Sequence, residues 1–562
     1  MERGDGGQTR FMRHVVDGLV LGGITDVVLS PGSRSTPLLL AVLHRGLPIH
    51  DVVDERAASF FALGLAREGR VPALVCTSGT APGHYLPAVM EASASRIPLV
   101  VVSANRPPEL HDTGASQTID QSRLFGAHVR RFVDLGAPHD SERAMRAAQR
   151  RTLRAVRASL GPEPGPVHVD VGARKPLEEH EAGPTLDGPQ VFEAPRGVNA
   201  DAVAALVARL ERAERPLIVA GPGGLGQRGW RASVTRVARR LGAPVVADAG
   251  SQLRFTGDGL AVDGGEALLR TEAGRARLDA DLVVQLGDFP IGPGLAKHLA
   301  GRPRVVLAEG GWPDPEGDAE MLVLGDVAAT LDDVTVTAAF EARAPWFEPP
   351  TDALRAARNE ALEGPLSQPA TVHAAFRALE PDSRVVLGNS LPIRAVDLYA
   401  DVDVDLHVVV QRGVSGIDGN LAGSVGVARA SGRPTLAILG DVTFLHDLGS
   451  LLLARSLDVP LVVLVLNDDG GRIFEHLPVH GTLATESFEK HFAMTHGLSF
   501  EHAAALYGLG YARATTHDEV RAKVRAGLAA AGTTVVEVAL PTESARTTNA
   551  RFLVALERSL AS

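Results

Sequence analysis

Short apolar runs rich in β-branched residues recur along the whole chain, most of them unbroken by polar residues: DVVL (26–29), ALVC (73–76), PLVVV (98–102), VHVDV (167–171), PLIVA (216–220), DLVVQL (281–286), RVVL (384–387), TLAIL (435–439), LVVLVL (461–466) and TVVEV (534–538). A strand that is apolar without alternation is buried on both faces, which calls for parallel sheets covered by helices on either side. The intervening segments are amphipathic; Val203, Leu206, Val207 and Leu210 fall at i, i+3, i+4 and i+7 behind an Asn199 cap. The expected fold is α/β, with doubly wound parallel sheets. At 562 residues the chain exceeds one core and suits about three or four domains. Two stretches rich in Pro and lacking any period, 177–197 and 340–367, read as linkers. Cutting there predicts three α/β domains over 1–180, 197–345 and 367–562.

Composition narrows the function classes. With 45% hydrophobic and 22% charged residues the chain is globular. The net charge of −11 argues against a nucleic-acid coat or a polybasic membrane surface, so an anionic substrate would need a local arginine cluster. The single cysteine, Cys76, excludes an intrachain disulfide and suits a reducing compartment. The first apolar stretch is broken by Asp17 and Asp26, and no run approaches the roughly 18 apolar residues of a membrane helix. The expectation is a cytoplasmic protein with no membrane insertion and no nucleic-acid partner.

Chemistry-bearing residues gather where strands end. Gly440-Asp441 closes TLAIL, and Asn467-Asp468-Asp469-Gly470-Gly471 closes LVVLVL, with a segment of helical character between them. Carboxylates and carbonyls at the carboxyl edge of a parallel sheet suit a hard cation such as Mg²⁺ that also grips phosphates. Alone, each Gly-Asp pair is equally an ordinary solvated strand end. Ser30-Pro31-Gly32-Ser33-Arg34 follows the first strand and opens a helix, a natural anion site. Glu55 opens the apolar helix AASFFALGLA, either as a first-turn acid or as a carboxylate placed for proton transfer. Arg106 with the later Gln117, Arg394 after GNSLPI, and Arg412 after HVVVQ all stand beyond apolar strands. Gly221-Pro222-Gly223 and Gly226, with Asp248 ending a later strand, imitate a dinucleotide fingerprint, but Pro222 removes a backbone donor and the pattern is weakly specific.

Together, SPGSRSTPL, DERAASFFALGLA, TSGTA, SANRPPEL with Gln117, GNSLPIR, QRGVSGIDG, GDVTFLHDLGSLLL and NDDGGRIFEHLP resemble a thiamine-diphosphate-dependent family, the 2-succinyl-5-enolpyruvyl-6-hydroxy-3-cyclohexene-1-carboxylate (SEPHCHC) synthases of menaquinone biosynthesis. The resemblance is close over the first ~125 residues and over 388–478, and holds only in outline in the middle domain. It implies a transferase that decarboxylates 2-oxoglutarate and adds the remaining unit to isochorismate, releasing CO₂. Asp441, Asp468 and the Gly470 carbonyl would bind Mg²⁺, with Mn²⁺ as an alternative, beside the cofactor diphosphate; the family pattern usually has Asn where Asp468 stands. Ile417 would prop the cofactor in its bent shape, and Glu55 would hydrogen-bond its aminopyrimidine as the catalytic carboxylate. Gly440, Ser390, Ile473 and Phe474 would line the cofactor. Ser33, Arg34, Arg106, Gln117, Ser390, Arg394 and Arg412 would hold the two dicarboxylates, with Leu477 walling the pocket. Glu55 and the diphosphate site would come from neighbouring subunits, implying a homodimer or a dimer of dimers. The family's basic pair in the middle domain is replaced here by Phe289-Pro290-Ile291-Gly292-Pro293-Gly294, with Lys297 the nearest lysine. The alternatives are another thiamine-diphosphate-dependent 2-oxo-acid decarboxylase or carboligase and, less favoured, a non-enzymatic dinucleotide-binding protein.

Overall fold

The computed structural model describes residues 7–178, 187–193, 197–223, 226–338 and 341–561. Each apolar run named above forms a strand, because a run with no polar face can be buried only within a covered sheet. Among the described residues three sheets form, and every pairing between neighbouring strands is parallel. The first contains β1 (Asp26–Leu29), β2 (Ile49–Asp51), β3 (Pro72–Cys76), β4 (Leu99–Asn105), β5 (Arg131–Asp134) and β6 (Pro166–Gly172), in the order β2-β1-β3-β4-β6-β5. The second contains β7 (Pro216–Ala220), β8 (Val245–Ala247), β9 (Leu282–Leu286), β10 (Arg304–Ala308) and β11 (Met321–Leu324), in the order β11-β10-β9-β7-β8. The third contains β12 (Arg384–Leu387), β13 (His407–Val410), β14 (Thr435–Gly440), β15 (Leu461–Asn467), β16 (Gly510–Arg513) and β17 (Thr533–Ala539), in the order β13-β12-β14-β15-β17-β16. The first and third sheets therefore share one topology. In both, strand order reverses beside the first strand, and ligands of open parallel sheets sit at such a reversal.

The chain divides into two compact units. One comprises Met1–Ala194, Gln411–Ser431 and Gly449–Ala454; the other comprises Pro195–Val410, Gly432–Leu448 and Arg455–Ser562. Central strands are dry on both faces: every residue from Leu461 to Leu466 is 0% exposed. Each such Val or Leu contributes roughly 1.5–3 kcal/mol through burial. In the first unit, the helix Glu55–Arg67 packs on the helix Asn420–Ser431 with backbones almost touching. A Cβ on Gly64 would lie 2.2 Å from the Gly423 carbonyl oxygen, and one on Gly426 would lie 2.2 Å from that of Phe61. This contact seats the helix that begins at Glu55 against the one that follows the 411–419 loop. The helical character expected after Asp441 is realised in pieces, Asp441–His446 and Leu451–Ala454, with a break at Asp447 and Gly449, both poor helix formers. No helix among the described residues is long and apolar enough to cross a membrane.

Candidate functional site

In the first unit the sheet edge gathers Arg34, Arg106 and Gln117. The Ser33–Ser35 turn follows β1 and leads into the helix Thr36–Arg45; Ser33 is exposed while Arg34 is buried. Arg34 donates from Nη1 to the Ala173 carbonyl (2.6 Å), and its backbone N–H donates to Thr77 Oγ1 (3.3 Å). Its buried Nε has no hydrogen-bond partner among the described residues. Burial first, and the positive charge of Arg106 next, hold the Arg34 guanidinium below its ordinary pKa. Arg106 donates to the Ser116 carbonyl (3.1 Å) and approaches Gln117 Oε1 at 3.5 Å. Gln117, at φ +56°, donates to the Ser78 carbonyl (3.1 Å), and its main chain accepts from Ser78 Oγ (3.0 Å). Two like charges within electrostatic reach of each other, one with an unused donor, have the chemistry that suits a carboxylate.

Glu55 is the first residue of its helix and is partly buried; the helix is capped by Asp54, whose Oδ1 accepts from the Arg56 N–H (2.9 Å). Burial pushes the Cys76 thiol well above its ordinary pKa, and the charge of Glu55 adds to that shift. The 411–419 loop carries Arg412 and Ile417, both partly buried. It is closed by Gln411 Nε2 donating to the Asp418 carbonyl (2.8 Å) and by Asn420 Nδ2 donating to that of Gly416 (3.2 Å).

In the second unit the cation-binding candidates lie together. Asp441 follows β14 and Asp468 follows β15; they are 1% and 4% exposed. Asp441 accepts from the N–H groups of Gly470 (2.8 Å) and Val442 (2.7 Å), and its Oδ2 lies 3.1 Å from His496 Nε2. Gln368 Nε2 reaches Asp468 Oδ2 at 3.4 Å, while the buried Gln368 Oε1 lacks a partner among the described residues. Burial holds both carboxyls above the ordinary range, Asp468 well above, where the charge of Asp441 adds to it. Two desolvated carboxylates at a sheet edge fit a divalent cation, which would offset both charges. Among the described residues no group of three or more His, Cys, Asp or Glu side chains gathers as a metal site. A cation here would complete its shell from the Gly470 carbonyl, water and phosphate oxygens, as Mg²⁺ commonly does.

This pair yields a prediction. Asp468→Asn keeps the shape and removes one of two adjacent buried charges, so it should stabilise the cation-free protein at neutral pH by about 1–3 kcal/mol. Raised carboxyl pKa values penalise the native state as pH rises, so the gain should vanish in acid, where both groups are already protonated. Thermal unfolding across pH, without divalent cations, checks this; a neutral-pH loss of stability would contradict it.

Ser390 ends the β12 edge at φ +73°, sparsely populated for a residue with a Cβ, and its carbonyl accepts from Arg394 Nη1 (2.6 Å). Ile473 and Phe474 are partly buried; Phe474 meets Phe492 edge-on at 5.7 Å, and Leu477 is 48% exposed. Gly440, partly buried, precedes Asp441 as the helix N-cap. Lys297 is exposed on the helix Pro293–Leu299.

Four residues unremarked in the sequence organise these sites. Glu91, 0% exposed, accepts from the N–H groups of Gly413 (3.0 Å) and Val414 (2.8 Å), from Arg67 (2.9 Å) and from Ser95 (2.7 Å). Asp170 accepts from Ser103 (2.6 Å), Asn105 (2.7 Å) and Gln121 (2.8 Å), and Gln121 Oε1 accepts from the Gly79 N–H (3.2 Å). Arg472 donates to the carbonyls of Asp468 (2.8 Å) and Asp469 (2.7 Å), clamping the loop after β15. For Glu91, Asp170 and Arg472 the local signal was a charged residue inside or just beyond an apolar run; Gln121 carried none.

Of the dinucleotide-like stretch, Gly224 and Leu225 lie outside the described residues. Asp248, the acid that a ribose would need, is 1% exposed, and its Oδ2 accepts from the Ile291 N–H (2.7 Å). A Cβ on Gly221 would lie 1.8 Å from the Asp288 carbonyl oxygen, so close backbone packing explains that glycine.

Comparison with known proteins bears on the same two regions. Residues 9–124 match the family model "Thiamine pyrophosphate enzyme, N-terminal TPP binding domain", and residues 395–538 match its C-terminal TPP-binding counterpart. The chain is 39% identical to the SEPHCHC synthase of Sorangium cellulosum, covering 97% of this chain and 95% of that one. It is 38% identical to that of Geobacillus kaustophilus, covering 93% of each. Benzoylformate decarboxylase from Polynucleobacter necessarius shares the fold, with a TM-score of 0.73 at 17% identity over 95% of this chain and 99% of that one.

Proposed function

Because the chain belongs to the family of thiamine-diphosphate-dependent SEPHCHC synthases, we propose that it decarboxylates 2-oxoglutarate, joins the remaining four-carbon unit to isochorismate by 1,4-addition and releases CO₂, in menaquinone biosynthesis. The observation that carries the substrate reading is the pairing of Arg34 with Arg106 beside Gln117, a receptor for carboxylates in a chain of net negative charge. Bound thiamine diphosphate supplies an electron sink for breaking and making carbon–carbon bonds.

The chain's own groups hold, orient and protonate. Asp441, Asp468 and the Gly470 carbonyl would hold Mg²⁺ against the diphosphate, with Gly440, Ser390, Ile473 and Phe474 around the cofactor. Ile417 would prop the bound cofactor. Glu55 would hydrogen-bond the aminopyrimidine ring nitrogen and exchange a proton with it. Ser33, Arg34, Arg106, Gln117, Arg394 and Arg412 would hold the substrates, the arginines neutralising their carboxylates, and Leu477 would wall the pocket. Two dicarboxylates present four negative charges, which forked guanidiniums meet better than point-charge lysines do. Three domains over 1–180, 197–345 and 367–562, assembled as a homodimer or a dimer of dimers, complete the reading.

Glu55→Gln tests the acid–base assignment. It should lower kcat by at least about 10²-fold while leaving Mg²⁺-dependent cofactor binding largely intact. The assay follows loss of isochorismate absorbance with 2-oxoglutarate, thiamine diphosphate and Mg²⁺. A folded, cofactor-bound wild type without turnover would sink the function; full activity of the variant would remove Glu55 from its role.

A further inference from the structure

In the second unit the helix Gly265–Arg270 packs on the helices Pro293–Leu299 and Leu391–Tyr399. Its Glu266 is 2% exposed and accepts from the N–H groups of Gly294 (3.0 Å) and Leu295 (2.8 Å), capping the 293–299 helix. The same carboxylate accepts from Arg270 Nε (2.6 Å) one turn later. The Arg270 side chain, 18% exposed, crosses Gly294: a Cβ there would lie 2.9 Å from Arg270 Cγ and 3.1 Å from Glu266 Oε2. Any larger residue at 294 would displace this ion pair. Fixing Nε through Glu266 orients the guanidinium and leaves its terminal nitrogens without a hydrogen bond among the described residues.

Arg394, on the 391–399 helix, forms no salt bridge among the described residues and donates only to the Ser390 carbonyl (2.6 Å). Its guanidinium is held below the ordinary range by burial and next by the positive charge of Arg270, with Asp397 and Glu266 as partial counter-charges. His476, from the turn after β15, lies within electrostatic reach of the same two arginines and of Arg546. Arg546 is already paired with Glu543 (2.6 Å). Two guanidiniums within electrostatic reach of each other, sharing one buried carboxylate as partial counter-charge, repel until an anion joins them.

We propose that Arg270, presented by Glu266 across Gly294, binds a substrate carboxylate jointly with Arg394, supplying the cation that the stretch Phe289–Gly294 lacks. The inference rests on the dicarboxylate reading above. A purely structural Arg270 would serve only to pair Glu266, and kinetics separates the two roles.

The test compares wild type with Arg270→Gln and Arg270→Lys, measuring KM for 2-oxoglutarate and for isochorismate, Mg²⁺-dependent cofactor binding and the unfolding midpoint. Arg270→Gln should raise KM for one substrate by about 10- to 100-fold, with cofactor affinity unchanged, and Arg270→Lys should recover part of that loss. If Arg270→Gln does not fold, Arg270→Lys carries the test through a smaller rise in the same KM. Unchanged KM values for both substrates, with activity falling only in proportion to folded protein, would overturn the proposal. Should the wild type turn over neither substrate, the functional reading fails. Calorimetry with succinate as a dicarboxylate probe then still decides on Arg270: weaker binding to Arg270→Gln supports its role, and equal binding to both proteins overturns it.

Discussion

Replacing Gly470 with alanine should abolish Mg²⁺-dependent binding of thiamine diphosphate and lower the unfolding midpoint. Gly470 sits at φ +124°, a conformation that side chains rarely adopt, and a Cβ there would lie 2.3 Å from the Ala493 carbonyl oxygen. The obstacle is backbone, so no rotamer change relieves it. Backbone strain alone is worth about 1–3 kcal/mol, and the overlap adds to it. The consequence reaches the cation site directly, because the Gly470 N–H donates to Asp441 Oδ2 (2.8 Å) and the adjacent Gly471 N–H donates to Ala493 (2.7 Å). A loop shifted enough to admit the methyl group moves both the Asp441 carboxylate and the Gly470 carbonyl. Calorimetric titration with cofactor and Mg²⁺ checks this; a folded Gly470→Ala protein binding with wild-type affinity would refute it.

Glu91→Ala should be nearly as severe, through a site that no substrate touches. The carboxylate holds the partly buried Arg67, the Ser95 hydroxyl and two N–H groups of the loop bearing Arg412 and Ile417. Removing one member of a buried, hydrogen-bonded ion pair costs roughly 3–5 kcal/mol, because the other charge remains desolvated. Both stability and kcat should fall, and the Gly413 and Val414 amides should exchange with solvent much faster. Glu91→Gln, which keeps one acceptor oxygen but no charge, should fall between. Hydrogen exchange on the cofactor-loaded protein distinguishes this from general unfolding: protection lost at 413–414 but kept in β3 and β4 is the expected pattern. Unaltered exchange there, with unaltered kcat, would show that Glu91 does not hold the loop.

Much of the architecture was legible because its cause is local. A strand buried on both faces must be apolar at every position, and that condition is written in contiguous residues such as LVVLVL. The helix starts behind Asn199 and at Glu55 were equally local, since caps and first-turn acids act across two or three positions. The resemblance extended this to the site, because a turn such as NDDGG combines a positive-φ glycine, Gly470, with carboxylate and carbonyl oxygens in one short run. The helix after Asp441 was legible only as helical character; its break at Asp447 depends on how two weak helix formers are packed.

The sequence by itself determined the parallel α/β class, the strand-end location of the chemistry, and the family with its cofactor. Tertiary structure alone decided that the first and third sheets repeat one strand order, that Glu91 holds a loop more than 300 positions away, and that Arg270 crosses Gly294 with its charge acting on Arg394. The physical reason is distance along the chain. Burial and capping act on neighbours and leave a readable pattern, whereas a carboxylate that anchors a remote loop, or two guanidiniums from different helices brought within electrostatic reach, is set by how separate elements pack.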